Sequence, residues 1–277
     1  MSSEEEVMDT CTTMNHNMTN TDRQRGFTLV ELAIVMIIIG LLIGGVLKGQ
    51  QLIENAKVTA VINEVKGFQA ALNSFKNTYS AMPGDMRNAD RRLAGCEIAA
   101  NNCENGNGNG LIADLGTGDS AFGGAIAWSS RVTAWEEPIQ AWKHLALADL
   151  ITGVQTNSSD NPNDLAWGES HPSSALRGGY ELYYDCCTTN GVSAHFLRMS
   201  NVGLVAAAGN SAGISPASPQ QAANIDRKLD DGIATGGAVM ANYGVGTGGD
   251  GRCIGNDGIY LEQIKQKNCV LFFLIDG

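Results

Sequence analysis

The stretch of sequence that decides the fold lies near the N-terminus and reads Arg25-Gly26-Phe27-Thr28-Leu29-Val30-Glu31-Leu32-Ala33-Ile34-Val35-Met36-Ile37-Ile38-Ile39-Gly40. Residues 27–47 contain a single charged residue, Glu31. A helix needs about 20 consecutive apolar residues to cross a bilayer, so residues 27–47 are predicted to form one membrane span. Arg23 and Arg25 precede this span, and positive charge is enriched on the cytoplasmic side of a membrane. The sequence therefore predicts a cytoplasmic N-terminus and an exported C-terminal part.

A cleaved secretory signal is the other explanation for an apolar segment near the N-terminus. Such a signal has a basic start, a short apolar core and a small-residue cleavage site after the core. This chain instead carries the acidic run Glu4-Glu5-Glu6 at its start, its apolar core is longer, and no Ala-x-Ala site follows the core. The apolar segment is therefore expected to stay in the protein as a membrane helix.

Residues 23–50 resemble the cleavage and methylation segment of type IV prepilins and type II secretion pseudopilins. The resemblance rests on a glycine, an aromatic residue and one acid five residues into an apolar span, here Gly26, Phe27 and Glu31. In that family, prepilin peptidase cuts after the glycine on the cytoplasmic side of the inner membrane, and the new N-terminal residue is N-methylated. The resemblance implies that residues 1–26 are a cleaved leader and that Phe27 is methylated. The leader is long, as in the type IVb branch of the family.

Glu31 needs an explanation of its own, because a carboxylate inside hydrocarbon is costly and is usually retained only with a partner. The resemblance implies what the partner is. Cleavage after Gly26 creates an amine at Phe27, and Glu31 of one subunit meets the N-terminal amine of its neighbour in the filament. The alternative is a carboxylate that reaches the membrane surface or becomes protonated.

The helical pattern continues beyond the membrane span. Steps of three and four residues, as one helix face requires, separate the apolar positions Val58, Val61, Val65, Phe68, Leu72 and Phe75. No proline interrupts residues 27–77, so one long helix is predicted there, with its outer half packed on a globular head. A free-standing coiled coil is the alternative. The predicted organisation is a leader (1–26), a long helix (27–79) and a head (80–277).

Four glycines lie on the inner half of this predicted helix: Gly40, Gly44, Gly45 and Gly49. Each costs about 1 kcal/mol of helix stability relative to Ala, so they supply local flexibility where many family members carry a proline. Two pairs of them are four residues apart, a spacing that allows neighbouring helices to approach closely. These glycines are therefore predicted to contribute to helix packing.

The head is predicted to be α+β. Its candidate helices are Pro138–Ile151, ended by Gly153, and Pro219–Asp231. Its candidate strands are Tyr180–Cys186, His195–Met199, Gly203–Ala207 and Cys269–Ile275. A helix followed by mainly adjacent strands favours an antiparallel sheet. The resemblance implies the same architecture, a lollipop with the long helix as its stem, and four head segments look like those of larger glycine-rich members: Met82–Asp85, the Asn-Gly loop from Asn105, Ala141–Leu145 and Ile225–Gly232.

Seven cysteines occur in the chain, and removal of a leader would take away Cys11. The six that remain are Cys96, Cys103, Cys186, Cys187, Cys253 and Cys269. An even number of cysteines in an exported domain predicts disulfides and no free thiol. A zinc site is the alternative, but it is disfavoured because no Cys-x-x-Cys pair occurs and the histidines are scattered.

The cysteine spacing suggests pairings without fixing them. Cys96–Cys103 would close a short loop and is the simplest pair. The dipeptide Cys186-Cys187 would point to opposite faces of a strand, which favours separate partners such as Cys253 and Cys269.

The segment Asn105-Gly106-Asn107-Gly108-Asn109-Gly110 places side-chain oxygens at the first, third and fifth positions and a glycine at the sixth, as in a calcium loop. All three oxygens belong to neutral amides, and the twelfth position is Gly116 instead of Glu. Calcium affinity is therefore expected to be poor unless an acid such as Glu104 joins the loop. A simple Asn-Gly turn is the favoured interpretation of Asn105, Asn107 and Asn109, and no other cofactor is predicted.

Enzymatic activity is not predicted. Gly209-Asn210-Ser211-Ala212-Gly213 matches the nucleophile-elbow pattern of hydrolases, but that arrangement needs an acid and then a histidine after the serine. The last histidine in the chain, His195, precedes Ser211. The formal net charge of −11 also disfavours binding to nucleic acid.

The sequence thus predicts a structural subunit of a type IV pilus-like filament that is assembled through its N-terminal helix. The precursor is expected in the inner membrane, and the mature protein is expected in a homo-oligomeric or mixed extracytoplasmic pilus, built by pilus or secretion assembly machinery. One alternative is a pseudopilin in the periplasmic pseudopilus of type II secretion. An alternative of another class is a single-pass membrane-anchored binding protein or hydrolase.

The first testable prediction concerns the mature N-terminus. Because Gly26 lies between a basic flank and an apolar helix, the mature protein should begin at Phe27. N-terminal peptide sequencing of the membrane fraction measures this. A mature start inside the head, or only unprocessed chain, would contradict the assignment.

Overall fold

The computed structural model describes residues 27–98, 102–112, 136–158, 165–185, 193–201, 215–243 and 252–275. The elements in chain order are α1 (Leu29–Tyr79), α2 (Ala89–Arg92), α3 (Glu136–Leu147), β1 (Gly179–Asp185), β2 (Ala194–Ser200), α4 (Pro219–Leu229), β3 (Val239–Tyr243) and β4 (Cys269–Leu274). Contacts divide the chain into two compact units, one up to Gly49 and one from Gln50 onward.

The predicted long helix is confirmed as α1, a single helix of 51 residues. Its bounds lie two residues later than predicted, because the first turn begins after Thr28 and the last turn continues to Tyr79. Within the described part of the chain, α1 is the one helix long and apolar enough to cross a membrane, judged by length and composition. Its first part, in the unit that ends at Gly49, exposes its apolar side chains.

In the second unit, α1 contributes a buried stripe to the hydrophobic core. The predicted positions Val58, Val61, Val65, Leu72 and Phe75 are all buried, together with Ile62 and Ala71. Phe68 is half-buried and packs edge-on against Trp142 and Tyr180, with ring centroids 5.2 and 5.1 Å away. This confirms the prediction that the outer half of the helix packs on a globular head.

Four strands form one antiparallel sheet in the order β1-β2-β4-β3. Leu197 of β2 pairs with Leu182 of β1 on one side and with Phe273 of β4 on the other. These three side chains belong to the same core cluster as the buried stripe of α1. A long helix with an antiparallel four-stranded sheet confirms the α+β fold class.

The sequence missed one strand and misjudged one helix end. Strand β3 is short and contains Ala and Asn, which are depleted in strands, so its pattern was not recognisable. Helix α3 ends at Leu147, and the prediction that Gly153 terminates it is wrong. Asp149 takes the left-handed conformation with φ 55°, and Leu150 N donates to Leu145 O, which is a Schellman C-cap with Asp in place of Gly. The predicted strand Gly203–Ala207 lies outside the described residues.

Helix α4 lies where it was predicted, although it ends at Leu229, two residues before the predicted end. Ser218 is its N-cap and forms a capping box with Gln221, and Pro219 occupies the first helical position. These residues explain why the helix begins there. Ser218 and Gln221 accept hydrogen bonds from backbone N–H groups that have no partner within the helix, and Pro219 has no N–H that needs one.

The turn after α1 packs against α3 with almost no space between them. Gly84 has a φ of 84°, and a Cβ placed on it would lie 2.3 Å from Glu137 O and 3.0 Å from Ala141 N. Gly84 N donates to His144 Nδ1 at 2.9 Å. A residue with a side chain therefore cannot occupy position 84 without moving α3 away.

The second prediction compares two glycine substitutions. Gly84→Ala should destabilise the protein more than Gly153→Ala, although both glycines have a φ of 84°. Position 153 has nothing within 4 Å of an added Cβ, so it reports only the left-handed backbone cost of about 1–2 kcal/mol. The steric clash at position 84 should add about 1–3 kcal/mol. Chemical denaturation of both variants measures the difference in unfolding free energy, and equal losses would show that α3 yields to the added methyl group.

Candidate functional site

The N-terminus of α1 is closed by a reciprocal pair of side chains, Thr28 and Glu31. Thr28 Oγ1 accepts a hydrogen bond from Glu31 N at 3.2 Å. Glu31 Oε2 accepts from Thr28 N at 2.8 Å and from the Thr28 hydroxyl at 3.0 Å. This is a capping box, with Thr at the N-cap and Glu at the third helical position. The acid predicted for assembly is therefore also part of the helix cap.

Thr28 is a site residue that the sequence reasoning missed. The signal was present, because Thr-x-x-Glu directly before an apolar helical run is typical of a capping box. The sequence analysis considered Glu31 only as a charge that needs a partner, so Thr28 received no role.

The two carboxylate oxygens of Glu31 differ in their surroundings. Oε2 makes both hydrogen bonds to Thr28. Oε1 has no hydrogen-bond partner among the residues that the structure describes. The Glu31 side chain is exposed, so Oε1 is accessible to a donor from another molecule.

The surface around Glu31 is apolar and exposed over several helical turns. Phe27 is 81% exposed and Leu29 is 86% exposed. The other large apolar side chains exposed along this part of α1 are Val30, Leu32, Ile34, Val35, Met36, Ile37, Ile38, Ile39, Leu41, Leu42, Ile43, Val46, Leu47, Leu52 and Ile53. Soluble monomers rarely expose continuous apolar surface of this extent. Lipid or other helices must therefore cover it.

Gly40, Gly44, Gly45 and Gly49 lie on this apolar segment without neighbours from the described chain. A Cβ built on any of them would meet nothing within 4 Å. Their lack of a side chain is thus not required by packing within the described chain. The role of these glycines in packing between helices stays a prediction.

The structure places Phe27 and Glu31 at the same end of α1. Phe27 lies just before the N-cap, and Glu31 is in the first helical turn. Gly26 and the rest of the expected leader lie outside the described residues. The described part of the site is therefore an exposed aromatic residue, a capped helix start and one carboxylate on an apolar helix.

Comparison with known families identifies this segment. Residues 21–47 match the family model described as the prokaryotic N-terminal methylation motif. Curated proteins and solved structures give no match to the chain. The motif and the helix that carries it support a protein of the prepilin and pseudopilin type. The motif supports a type IV pilin-like or pseudopilin-like role, and with its apolar helix it fits a precursor anchored in the inner membrane.

The predicted calcium loop forms turns closed by its own asparagines. Asn107 Oδ1 accepts from Asn109 N at 2.9 Å, and Asn109 Oδ1 accepts from Leu111 N at 2.8 Å. Asn105 Oδ1 accepts from Asp90 N at 3.1 Å. Two of these bonds reach two residues forward, which defines Asx turns. The favoured interpretation of the segment as an Asn-Gly turn is therefore found, and calcium binding there stays a prediction.

The same loop is fixed to the turn that follows α1. The buried Asp85 carboxylate accepts from Asn109 N at 2.9 Å and from Gly110 N at 2.8 Å. A Cβ on Gly106 would lie 2.2 Å from Gly84 O, so the loop backbone lies directly on this turn. Two head segments that the sequence analysis noted separately are thus one structural unit.

The described cysteines form two disulfides, Cys96–Cys103 and Cys253–Cys269. The second corrects the favoured pairing of the Cys186-Cys187 dipeptide with Cys253 and Cys269, because these last two residues bond to each other. The bridge between Ile254 and Tyr260 turns the chain back, and Cys253 thereby meets the first residue of β4. Cys186, Cys187 and Cys11 lie outside the described residues, as does the elbow-like segment around Ser211.

One group of acids has metal-like spacing in the described chain: Asp226, Asp230 and Asp231, with oxygens within 4.8 Å of one another. Asp226 accepts from the Tyr260 hydroxyl at 2.8 Å and from Gly232 N at 3.1 Å. Burial raises the pKa of Asp226. Asp231 accepts from the backbone two residues on. These bonds close the turn after α4 and account for the cluster structurally.

Buried His144 joins three segments of the head. Its Nδ1 accepts from Gly84 N at 2.9 Å, so its Nε2 carries the proton and donates to Glu104 O at 2.9 Å. Burial lowers the pKa of His144 to about 4. Protonation of Nδ1 would remove the acceptor for Gly84 N and place a charge in the core. We call this contact between Gly84, His144 and Glu104 the junction, and it requires a neutral imidazole.

The third prediction follows from this lowered pKa. The unfolded chain takes up a proton near pH 6.5 and the folded chain near pH 4, so stability falls as pH drops through this interval. The contribution of His144 is roughly 3 kcal/mol over the interval. In His144→Asn, the side-chain oxygen still accepts from Gly84 N but does not titrate. The variant should lose less stability than the parent between pH 7 and pH 4 in denaturation experiments. Identical pH dependence in both proteins would assign acid sensitivity elsewhere.

Proposed function

We propose that this protein is a structural subunit of a type IV pilus-like filament. In this proposal, prepilin peptidase cuts the precursor after Gly26, Phe27 is N-methylated, and the mature subunit polymerises through α1. The observation that carries the proposal is the position of Glu31: it is the single charged residue of the apolar stretch 27–47 and lies within the matched methylation motif.

The apolar surface of α1 supports assembly through this helix. It has to be covered before and after assembly, first by lipid and then by the helices of neighbouring subunits. Moving a helix from lipid to a helix bundle gains little from the hydrophobic effect, since both surroundings are apolar. Close packing and polar contacts must therefore favour the filament, and the four glycines and Glu31 provide them.

Charge explains why the amine of a neighbour is the proposed partner of Glu31. Cleavage after Gly26 would place a new positive charge at Phe27, and each mature subunit would then carry one carboxylate and one amine near the same helix end. In surroundings of low dielectric constant, opposite charges attract more strongly than in water and salt screens them little. Two isolated charges that are each costly in an apolar environment are stabilised when they meet.

The capping box supports a dual role for the carboxylate. Oε2 closes the helix of its own subunit through Thr28, while Oε1 is exposed and accessible. A single side chain can therefore keep its helix start intact and accept a hydrogen bond from a neighbouring amine. The cap would also fix the direction of Oε1 before assembly, which lowers the entropy cost of the contact.

We infer a pilus instead of a secretion pseudopilus from the long leader and the large glycine-rich head. The proposed partners are further copies of this subunit or related pilins, prepilin peptidase and the assembly machinery of the inner membrane. The proposed final location is an extracytoplasmic filament.

The fourth prediction tests this function with substitutions at Glu31. Glu31→Gln should leave membrane insertion intact, since removal of a charge eases partition into lipid. Gln also serves at the third position of a capping box, so the helix start should be preserved. Filament formation should fall sharply, because the lost contact is stronger than an exposed ion pair, which is worth about 0–1 kcal/mol. Electron microscopy and a sheared-filament assay measure assembly, and fractionation measures the membrane pool.

Glu31→Ala and Thr28→Ala are the matched controls. Glu31→Ala removes charge and cap together and should fail to assemble to the same extent as Glu31→Gln. Thr28→Ala weakens the cap but keeps the charge, so it should assemble better than both Glu31 variants. If Glu31→Gln polymerised like the parent while Glu31→Ala did not, capping would be the whole role of Glu31.

A further inference from the structure

A cavity of about 660 Å³ lies in the second unit, beside the end of α1. Its walls come from the last turn of α1, the turn that follows, the α2 region, the Asn-Gly loop and the adjoining strands β1 and β2. The volume is within the range of about 300–1,000 Å³ that is typical of small-molecule sites. None of the contacts that explain filament assembly involves these residues.

Three cations line the cavity, and we call Lys76, Arg87 and Arg92 the cationic rim. The one acid among the lining residues, Asp85, already accepts hydrogen bonds from two backbone N–H groups in the Asn-Gly loop. The rim therefore concentrates positive charge, although the whole chain has a net charge of −11.

The rim side chains keep donors for a ligand. Arg87 uses Nε to donate to Asn107 O at 2.6 Å, and Arg92 uses Nη2 to donate to Tyr79 O at 2.6 Å. Both bonds are to neutral carbonyls and orient the guanidinium groups without neutralising them. Among the described residues, no carboxylate lies within ion-pair distance of the three rim cations.

Four of the other lining residues have large apolar or aromatic side chains, and we call Met82, Met86, Leu111 and Tyr184 the apolar wall. The Tyr184 ring is held edge-on by His195, with ring centroids 5.2 Å apart. The histidine is itself fixed, since its Nε2 accepts from Ile112 N at 3.2 Å. A fixed aromatic ring beside thioether side chains favours a flat or compact apolar group.

We propose that this cavity binds a small organic anion, with its acidic group at the cationic rim and its body against the apolar wall. A carboxylate, sulfate or phosphate group satisfies the rim chemistry, because Arg and Lys bind such groups with charge-assisted hydrogen bonds. A ring system beside the acidic group fits within the volume of about 660 Å³. This site is independent of the proposed filament and would exist in the unassembled subunit as well.

Calorimetry on the full chain in detergent micelles tests the proposal at constant ionic strength. The probes are phenyl phosphate, inorganic phosphate and phenol. Phenyl phosphate should bind saturably with a stoichiometry of one, inorganic phosphate should bind more weakly because it lacks the body, and phenol should not bind detectably. Equal affinity for phenyl phosphate and inorganic phosphate would overturn the role of the apolar wall. Absence of saturable phenyl phosphate binding would overturn the site itself.

Substitutions in matched pairs locate the binding. Lys76→Gln and Arg92→Gln should each weaken phenyl phosphate binding by about tenfold, as expected for loss of a hydrogen bond to a charged group. Lys66→Gln and Arg91→Gln remove exposed cations from α1 and α2 that do not line the cavity, and they should leave the affinity unchanged. Equal weakening by all four substitutions would show unspecific attraction by net charge and would contradict the proposal.

Discussion

The constraint on which the N-terminal unit of this protein depends is the cost of one carboxylate on an apolar helix. Glu31 cannot be left alone in hydrocarbon without a large loss of solvation. The chain satisfies part of this need internally, because Thr28 donates two hydrogen bonds to Oε2. The remaining part is left at Oε1, and a neighbouring amine is the donor that a processed subunit would supply. The charge of Glu31 thus disfavours insertion into lipid, whereas the proposed assembly contact needs it.

The head depends on a different constraint, the close approach of the turn after α1 to α3. Gly84 permits that approach, and His144 bonds the turn on one side and Glu104 on the other. Asp85, the next residue, holds the Asn-Gly loop. The walls of the proposed anion cavity therefore rest on this junction. A substitution that loosens the junction should disturb the cavity without affecting the membrane part of α1.

Sequence reasoning predicted the features that follow from long, repeated patterns. The uninterrupted apolar spacing of α1 and the β-branched and aromatic residues of β1, β2 and β4 each predicted the element that the structure shows. The features that it missed depend on single contacts in three dimensions. Asp149 ends α3 in place of the predicted Gly153, and β3 pairs along its length with β4.

For the candidate site, too, local patterns could be predicted from the sequence, and contacts between distant residues could not. The methylation motif is a local pattern, so the sequence could point to Phe27 and Glu31, whose roles stay predictions. The partner of Cys269 was not, because many pairings are compatible with the spacing and only the fold of the segment from Cys253 to Tyr260 selects one. The cationic rim was also missed, since its residues follow no local sequence pattern and line one cavity only in the folded chain.

The central claim is that the Glu31 carboxylate of one subunit binds the N-terminal amine of the next. A cryo-electron microscopy map of purified filaments, at a resolution that shows side chains, measures this most directly. The account predicts an amine nitrogen of Phe27 from a neighbouring subunit within about 4 Å of a Glu31 carboxylate oxygen, the distance of an ion pair. Filaments in which Glu31 contacts only Thr28 of its own chain, with every Phe27 amine elsewhere, would contradict it.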